Sequence, residues 1–99
     1  MSNEIKKNLE IINRHFDFMK KTYNVKKIGI FGSMARKTEK KTSDIDILVE
    51  LSQPTSFLEF IKLENFLKKS LGRRVDLATK NSLKPITKKN VLKDIVYAR

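Results

Sequence analysis

Two aspartates, Asp44 and Asp46, stand one residue apart in an Asp-Ile-Asp run that continues into Ile47, Leu48 and Val49. On a strand, residues two apart point to one side of the sheet, so both carboxylates share a face. Held that close they repel each other, and a cation between them resolves the conflict. Magnesium suits such a pair, because it takes oxygen ligands and completes its shell with one or two carboxylates plus substrate phosphates. Upstream, the run Val25 to Phe31 ends abruptly at Gly32-Ser33, and Met34-Ala35-Arg36-Lys37 are good helix formers. A strand that stops at Gly-Ser and opens a helix leaves free backbone N–H groups at a positive dipole end, where an anion is favoured. Ser33 adds a hydroxyl, Gly32 allows close approach and a left-handed turn, and Arg36 is one helical turn on, within reach of a phosphate or a carboxylate. Together these residues suggest metal-assisted chemistry on a phosphate.

Each piece alone is common, and an Asp-x-Asp at a strand start is more often a turn cap or solvated edge than a metal site. Their conjunction is more specific. Gly32-Ser33, ten intervening residues, then Asp-x-Asp opening an apolar strand resembles the signature of the nucleotidyltransferase superfamily that includes DNA polymerase beta and kanamycin nucleotidyltransferase. That superfamily places a third acidic residue on a neighbouring strand. Asp76, between Val75 and Leu77 in Arg73-Arg74-Val75-Asp76-Leu77-Ala78, fits the requirement, and alternation turns it away from a core that holds its neighbours. Family members often carry glycine after the Ala-Arg pair, where this chain has Lys37.

The elements that must position these residues follow from periodicity. Ile5, Leu9, Ile12, Phe16, Met19 and Tyr23 step by four and three, which predicts one amphipathic helix over 4–22. Strands are expected over 25–31, 45–51 and 74–78, with a short helix at Ser33 and a polar insert over 37–42 between the first two. Ser56-x-x-Glu59 is a capping box ahead of a helix whose apolar face would hold Leu58, Ile61, Leu67 and Leu71 with Phe57, Phe60 and Phe66, and Gly72 suits its end. Lys80 to Lys84 is a polar loop. Pro85 suits the first turn of a last helix, for which Ile86, Leu92, Ile95 and Val96 offer an apolar face. The predicted fold is a small single-domain α/β protein, residues 1–99, with a central mixed sheet flanked by helices.

With 99 residues the chain has room for one modest core, whereas larger nucleotidyltransferases usually carry a further domain that grips the acceptor. Over nearly its whole length the sequence resembles the minimal nucleotidyltransferases, the MNT antitoxins of HEPN/MNT toxin–antitoxin systems. The resemblance implies that Gly32 and Ser33 hold the β- and γ-phosphates of ATP with Arg36 nearby. It also implies that Asp44, Asp46 and Asp76 are catalytic and bind two magnesium ions. The implied reaction moves AMP onto a tyrosine of a HEPN-domain RNase toxin and silences it. A masking antitoxin without catalysis is an alternative reading.

A second alternative comes from charge. The formal net charge is +11, with 22 lysines and arginines against 11 acids, so the surface should attract polyanions, and RNA or DNA binding stays open. The basic pairs are spread over every predicted element, and only Arg36, Lys37, Lys40 and Lys41 are placed by the motif to meet a triphosphate. No stacking aromatic signature stands out in the sequence. Cysteine is absent, which excludes disulfides and thiolate metal sites. No signal-peptide pattern or membrane-length apolar run occurs, so a cytoplasmic protein without a membrane is expected. His15 reads as a boundary histidine at the edge of the first helix's apolar stripe rather than a metal ligand or base, Tyr23 and Tyr97 read as packing residues, and a homo-oligomer is left open.

Overall fold

The computed structural model describes residues 3–32 and 44–98. The expected Ser33 helix, the 37–42 insert, and Ser33 and Arg36 themselves lie outside the described residues. The chain runs α1 (Asn3–Arg14), α2 (Phe16–Tyr23), β1 (Val25–Phe31), β2 (Ile45–Leu51), α3 (Phe57–Leu71), β3 (Val75–Thr79), a 3₁₀ turn (Lys80–Ser82), α4 (Pro85–Asp94) and β4 (Val96–Tyr97). The four strands form one mixed sheet in the order β3-β2-β1-β4. β1 is antiparallel to both β2 and β4, whereas β2 and β3 are parallel. The parallel pair needs a crossover, and α3 supplies it.

Strand alternation sorts the sheet into two faces. Ile28 pairs with Val49 and Ile30 with Ile47, and all four are buried in one cluster with Ile5, Leu9, Ile12 and Met19 of the first two helices and Leu63, Leu67 and Leu71 of α3. That is the main core. Gly29 pairs with Leu48 and Phe31 with Asp46, so these four residues turn to the opposite face. There α4 covers part of the sheet, with Leu48 and Val91 buried outside the main cluster.

Local signals act as expected at most boundaries. The Ser56 hydroxyl accepts a hydrogen bond from the Glu59 N–H at 3.1 Å, and Gly72 closes α3 at φ 66° with its N–H donating to the Lys68 carbonyl. Pro85 occupies the first turn of α4. β1 and β2 have the predicted bounds, and β3 is shifted by one residue.

Four expectations need correction. The single helix over 4–22 breaks at His15, whose N–H donates to the Ile12 carbonyl at 3.1 Å in a tighter i−3 bond and whose ring meets Phe66 edge-on at 5.3 Å. Phe57 and Leu58 are 80% and 62% exposed, because the buried stripe of α3 is Leu63, Leu67 and Leu71. Ile86 and Leu92 are also exposed, and α4 buries Val91 instead. Val96 is not helical: it pairs with Ile30 in a fourth strand, next to Tyr97 opposite Gly29. The close approach needs glycine at 29, since a Cβ there would stand 2.8 Å from the Ile95 side chain and 3.0 Å from the Val96 carbonyl oxygen.

Candidate active site

The three predicted carboxylates come from two adjacent strands and lie at the same end of the sheet. Asp46 and Asp76 are register partners across the parallel β2–β3 ladder. Val75 and Leu77 are buried in the core and Asp76 is exposed, so alternation turns it to the same face as Asp46. Asp44 precedes β2 by one residue. The Ile45 N–H donates to the Arg74 carbonyl at 2.9 Å, which sets Asp44 beside Arg74, and the Arg74 Nε lies 3.1 Å from the Asp44 Oδ1. Its neighbour Arg73 reaches the other way, 3.2 Å from Glu4 of α1.

Gly32 joins the turn to the carboxylates. It has φ +74°, a left-handed conformation that side chains other than glycine resist. An ideal Cβ at this position would overlap the Oδ2 of Asp46 and stand 2.9 Å from its Cγ. The order across the sheet is therefore Asp76 on β3, Asp46 on β2 and Gly32 at the end of β1. Beyond Gly32 a cleft of about 280 Å³ opens between the sheet and α4, lined by Phe31, Gly32, Asp46, Thr87, Asn90, Val91 and Asp94.

Sequence reasoning left out the α4 wall and Arg74. Thr87, Asn90 and Asp94 step by three and four, the spacing of one helix face, with Val91 beside them as the buried anchor. That polar stripe was present in the sequence but overshadowed by Ile86 and Leu92. Arg74 carried no comparable signal, because its role depends on the β2–β3 register.

The site offers carboxylate oxygens of the kind that a cation takes as ligands. Asp44 already attracts one in the form of a guanidinium, and Asp46 and Asp76 stand side by side on the same face. Among the described residues no group of three acidic, histidine or cysteine side chains forms a ready-made metal cage. An ion held here would keep coordination positions for phosphate oxygens, as magnesium prefers.

A mixed sheet that carries Asp-x-Asp and a third aspartate beside a glycine turn is the arrangement expected of a nucleotidyl-transferring enzyme. The nucleotidyltransferase domain family matches residues 12–98, and the chain belongs to that family, among its protein adenylyltransferases. Over 89 residues it is 49% identical to MJ1217 of Methanocaldococcus jannaschii, named as a protein adenylyltransferase, covering 89% of this chain and 91% of the relative. It is 44% identical to the protein adenylyltransferase MntA of Thermococcus cleftensis, covering 88% of each. A solved minimal nucleotidyltransferase superposes with a TM-score of 0.77 at 26% identity, over 91% of this chain and 92% of that one. The same fold recurs, at 19% identity and a TM-score of 0.68, in the complex of an MNT antitoxin with the tri-AMPylated HEPN toxin of Shewanella oneidensis, over 93% of this chain and 71% of that one.

Proposed function

We propose that this protein transfers AMP from ATP to a tyrosine hydroxyl of a HEPN-domain toxin and thereby acts as its antitoxin. The observation that carries the reading is the order Gly32, Asp46, Asp76 across three adjacent strands, with the α4 cleft on the Gly32 side. The triphosphate lies on the turn at Gly32, and the nucleoside extends into the cleft between the sheet and α4; Ser33 and Arg36, expected from the sequence to take part, lie outside the described residues. Asn90 and Thr87 there offer hydrogen-bonding groups to the sugar or base. The acceptor enters from the open β3 edge, beside Asp76.

In the reaction the acceptor oxygen forms a bond to the α-phosphorus as the bond from that phosphorus to the bridging oxygen of the β-phosphate breaks. Pyrophosphate leaves, and the hydroxyl proton passes to the Asp76 carboxylate. Asp44 and Asp46, with Asp76, would hold two magnesium ions, which when bound neutralise phosphate charge and activate the hydroxyl. Arg74, whose Nε lies 3.1 Å from the Asp44 Oδ1, would have to release that carboxylate for it to hold an ion. The 44% identity to a protein adenylyltransferase supports a protein as the acceptor. No helix among the described residues is long and apolar enough to cross a membrane, and the supply of ATP points to the cytoplasm as the setting.

The test is intact-mass spectrometry after incubating the protein with magnesium, ATP and a HEPN-domain partner from the same organism, beside an Asp44→Asn, Asp46→Asn double variant. One or more added AMP masses on the partner, absent with the variant, is the expected outcome. Neutralisation by both versions with no mass change overturns transfer and leaves masking as the function.

A further inference from the structure

On the helical side of the sheet, opposite the carboxylates, four rings from separate stretches of chain meet. The Phe66 ring of α3 lies 5.0 Å from that of Phe18, tilted by 34°, and 6.1 Å from that of Tyr23. His15 meets Phe66 edge-on at 5.3 Å, and Phe18 meets Tyr23 edge-on at 6.1 Å. Core packing accounts for Phe66 but not for Phe18, which stays 49% exposed. Beside the rings is an open cavity of about 590 Å³ whose lining is Tyr23, Lys62, Asn65, Phe66, Lys68 and Lys69, with no carboxylate among them. Lys20 and Lys21 extend the positive charge along the last turn of α2.

A half-exposed aromatic surface rimmed by lysines combines the two interactions that hold single-stranded nucleic acid: base stacking on rings and phosphate attraction to ammonium groups. Lys62 and Lys68 are each 3.5 Å from a glutamate on their own helix, in pairs that remain partly exposed. Such pairs contribute little and exchange readily for phosphates. Asn65 supplies a donor and an acceptor for a base edge. The net charge of +11 adds long-range attraction for a polyanion.

We propose that the Phe18–Phe66–Tyr23 face, with Lys62, Lys68 and Lys69, binds single-stranded RNA. Unpaired, splayed bases present the flat faces this surface can stack, and RNA is the main single-stranded nucleic acid of a cell. The site is separated from the carboxylates by the sheet, so binding requires neither ATP nor transfer, and its test is independent of the function proposed above.

The chain contains no tryptophan, so Phe18→Trp installs a single fluorescent reporter on the proposed stacking surface. Titrating this variant with an RNA of mixed sequence, about 12 nucleotides long, should quench the indole as bases stack. Fluorescence anisotropy with the same labelled RNA should show about ten-fold weaker binding for Phe18→Ala. Lys69→Ala should reduce the slope of log affinity against log salt by about 0.7. Circular dichroism melting checks that both variants fold. RNA affinity within two-fold of the parent in both variants, or no detectable RNA binding, overturns the proposal. Equal or tighter binding of duplex DNA or single-stranded DNA of the same sequence overturns the assignment to RNA. Retained RNA affinity with loss of the HEPN-toxin complex would make the face a protein-docking surface and overturn it as well.

Discussion

The backbone at Gly32 passes so close to Asp46 that a methyl group at position 32 would stand 2.9 Å from the Asp46 Cγ and overlap its Oδ2. The turn at Gly32 and the Asp46 carboxylate are thus one steric unit. Gly32→Ala must displace the carboxylate or the turn, and it also places a side chain at φ +74°, a conformation that costs about 1–2 kcal/mol. AMP transfer should fall by about 100-fold, as when a preorganised donor to a reacting phosphate is lost. Rates from intact-mass time courses, with circular dichroism to confirm the fold, check this.

Asp46 and Asp76, register partners on β2 and β3, should be individually required. Asp46→Asn and Asp76→Asn keep the shape but remove the charge that a bound cation needs, and each should lower transfer about 1000-fold or more. Chelating divalent metal with EDTA should abolish transfer by the parent protein, and added magnesium should restore it.

Arg74 and Asp44 form an ion pair of 3.1 Å whose side chains are 77% and 48% exposed. Arg74→Gln should therefore change unfolding free energy by no more than about 0.5 kcal/mol. Its effect should show in metal dependence, because Asp44 no longer has a competing cation, and the magnesium concentration giving half-maximal transfer should fall. An unchanged half-saturation point would show that the pair does not govern access to Asp44.

The α4 wall predicts a nucleotide-binding effect without loss of fold. Asn90 is exposed and lines the cleft with Gly32 and Asp46, so Asn90→Ala removes hydrogen-bonding groups without opening the core. The KM for ATP should rise about five- to ten-fold, the equivalent of one or two hydrogen bonds, with kcat nearly unchanged. Steady-state kinetics over an ATP series separates the two parameters.

Gly29→Ala tests the fourth strand. Its new Cβ would meet Ile95 at 2.8 Å and the Val96 carbonyl oxygen at 3.0 Å, forcing β4 and the end of α4 outward. Overpacking of this kind costs about 1–3 kcal/mol. A lower midpoint in urea with an unchanged slope is the expected result.

Sequence alone determined the features that depend on neighbours along the chain. Alternation located β1 and β2, Ser56 and Gly72 bounded α3, and Pro85 opened α4, since strands, caps and helix starts rest on residues a few positions apart. The Asp44–Asp46 pair and the lone polar position Asp76 between Val75 and Leu77 were legible for the same reason. Tertiary structure decided what depends on residues distant in sequence. The break at His15 coincides with a ring contact 51 positions away in sequence, at Phe66. β4 exists because Gly29 leaves room for Ile95 and because β1 offers an edge to Val96 and Tyr97. The apolar residues Leu58, Ile86 and Leu92 carried a helical pattern but had no surface to cover, so periodicity overstated their burial. The ion pair of Arg74 with Asp44, the α4 wall beside Gly32 and the cluster of Phe18, Tyr23 and Phe66 are all products of register and helix docking. Local patterning fixes which side chains share a face, but only the packed sheet and helices decide which faces meet.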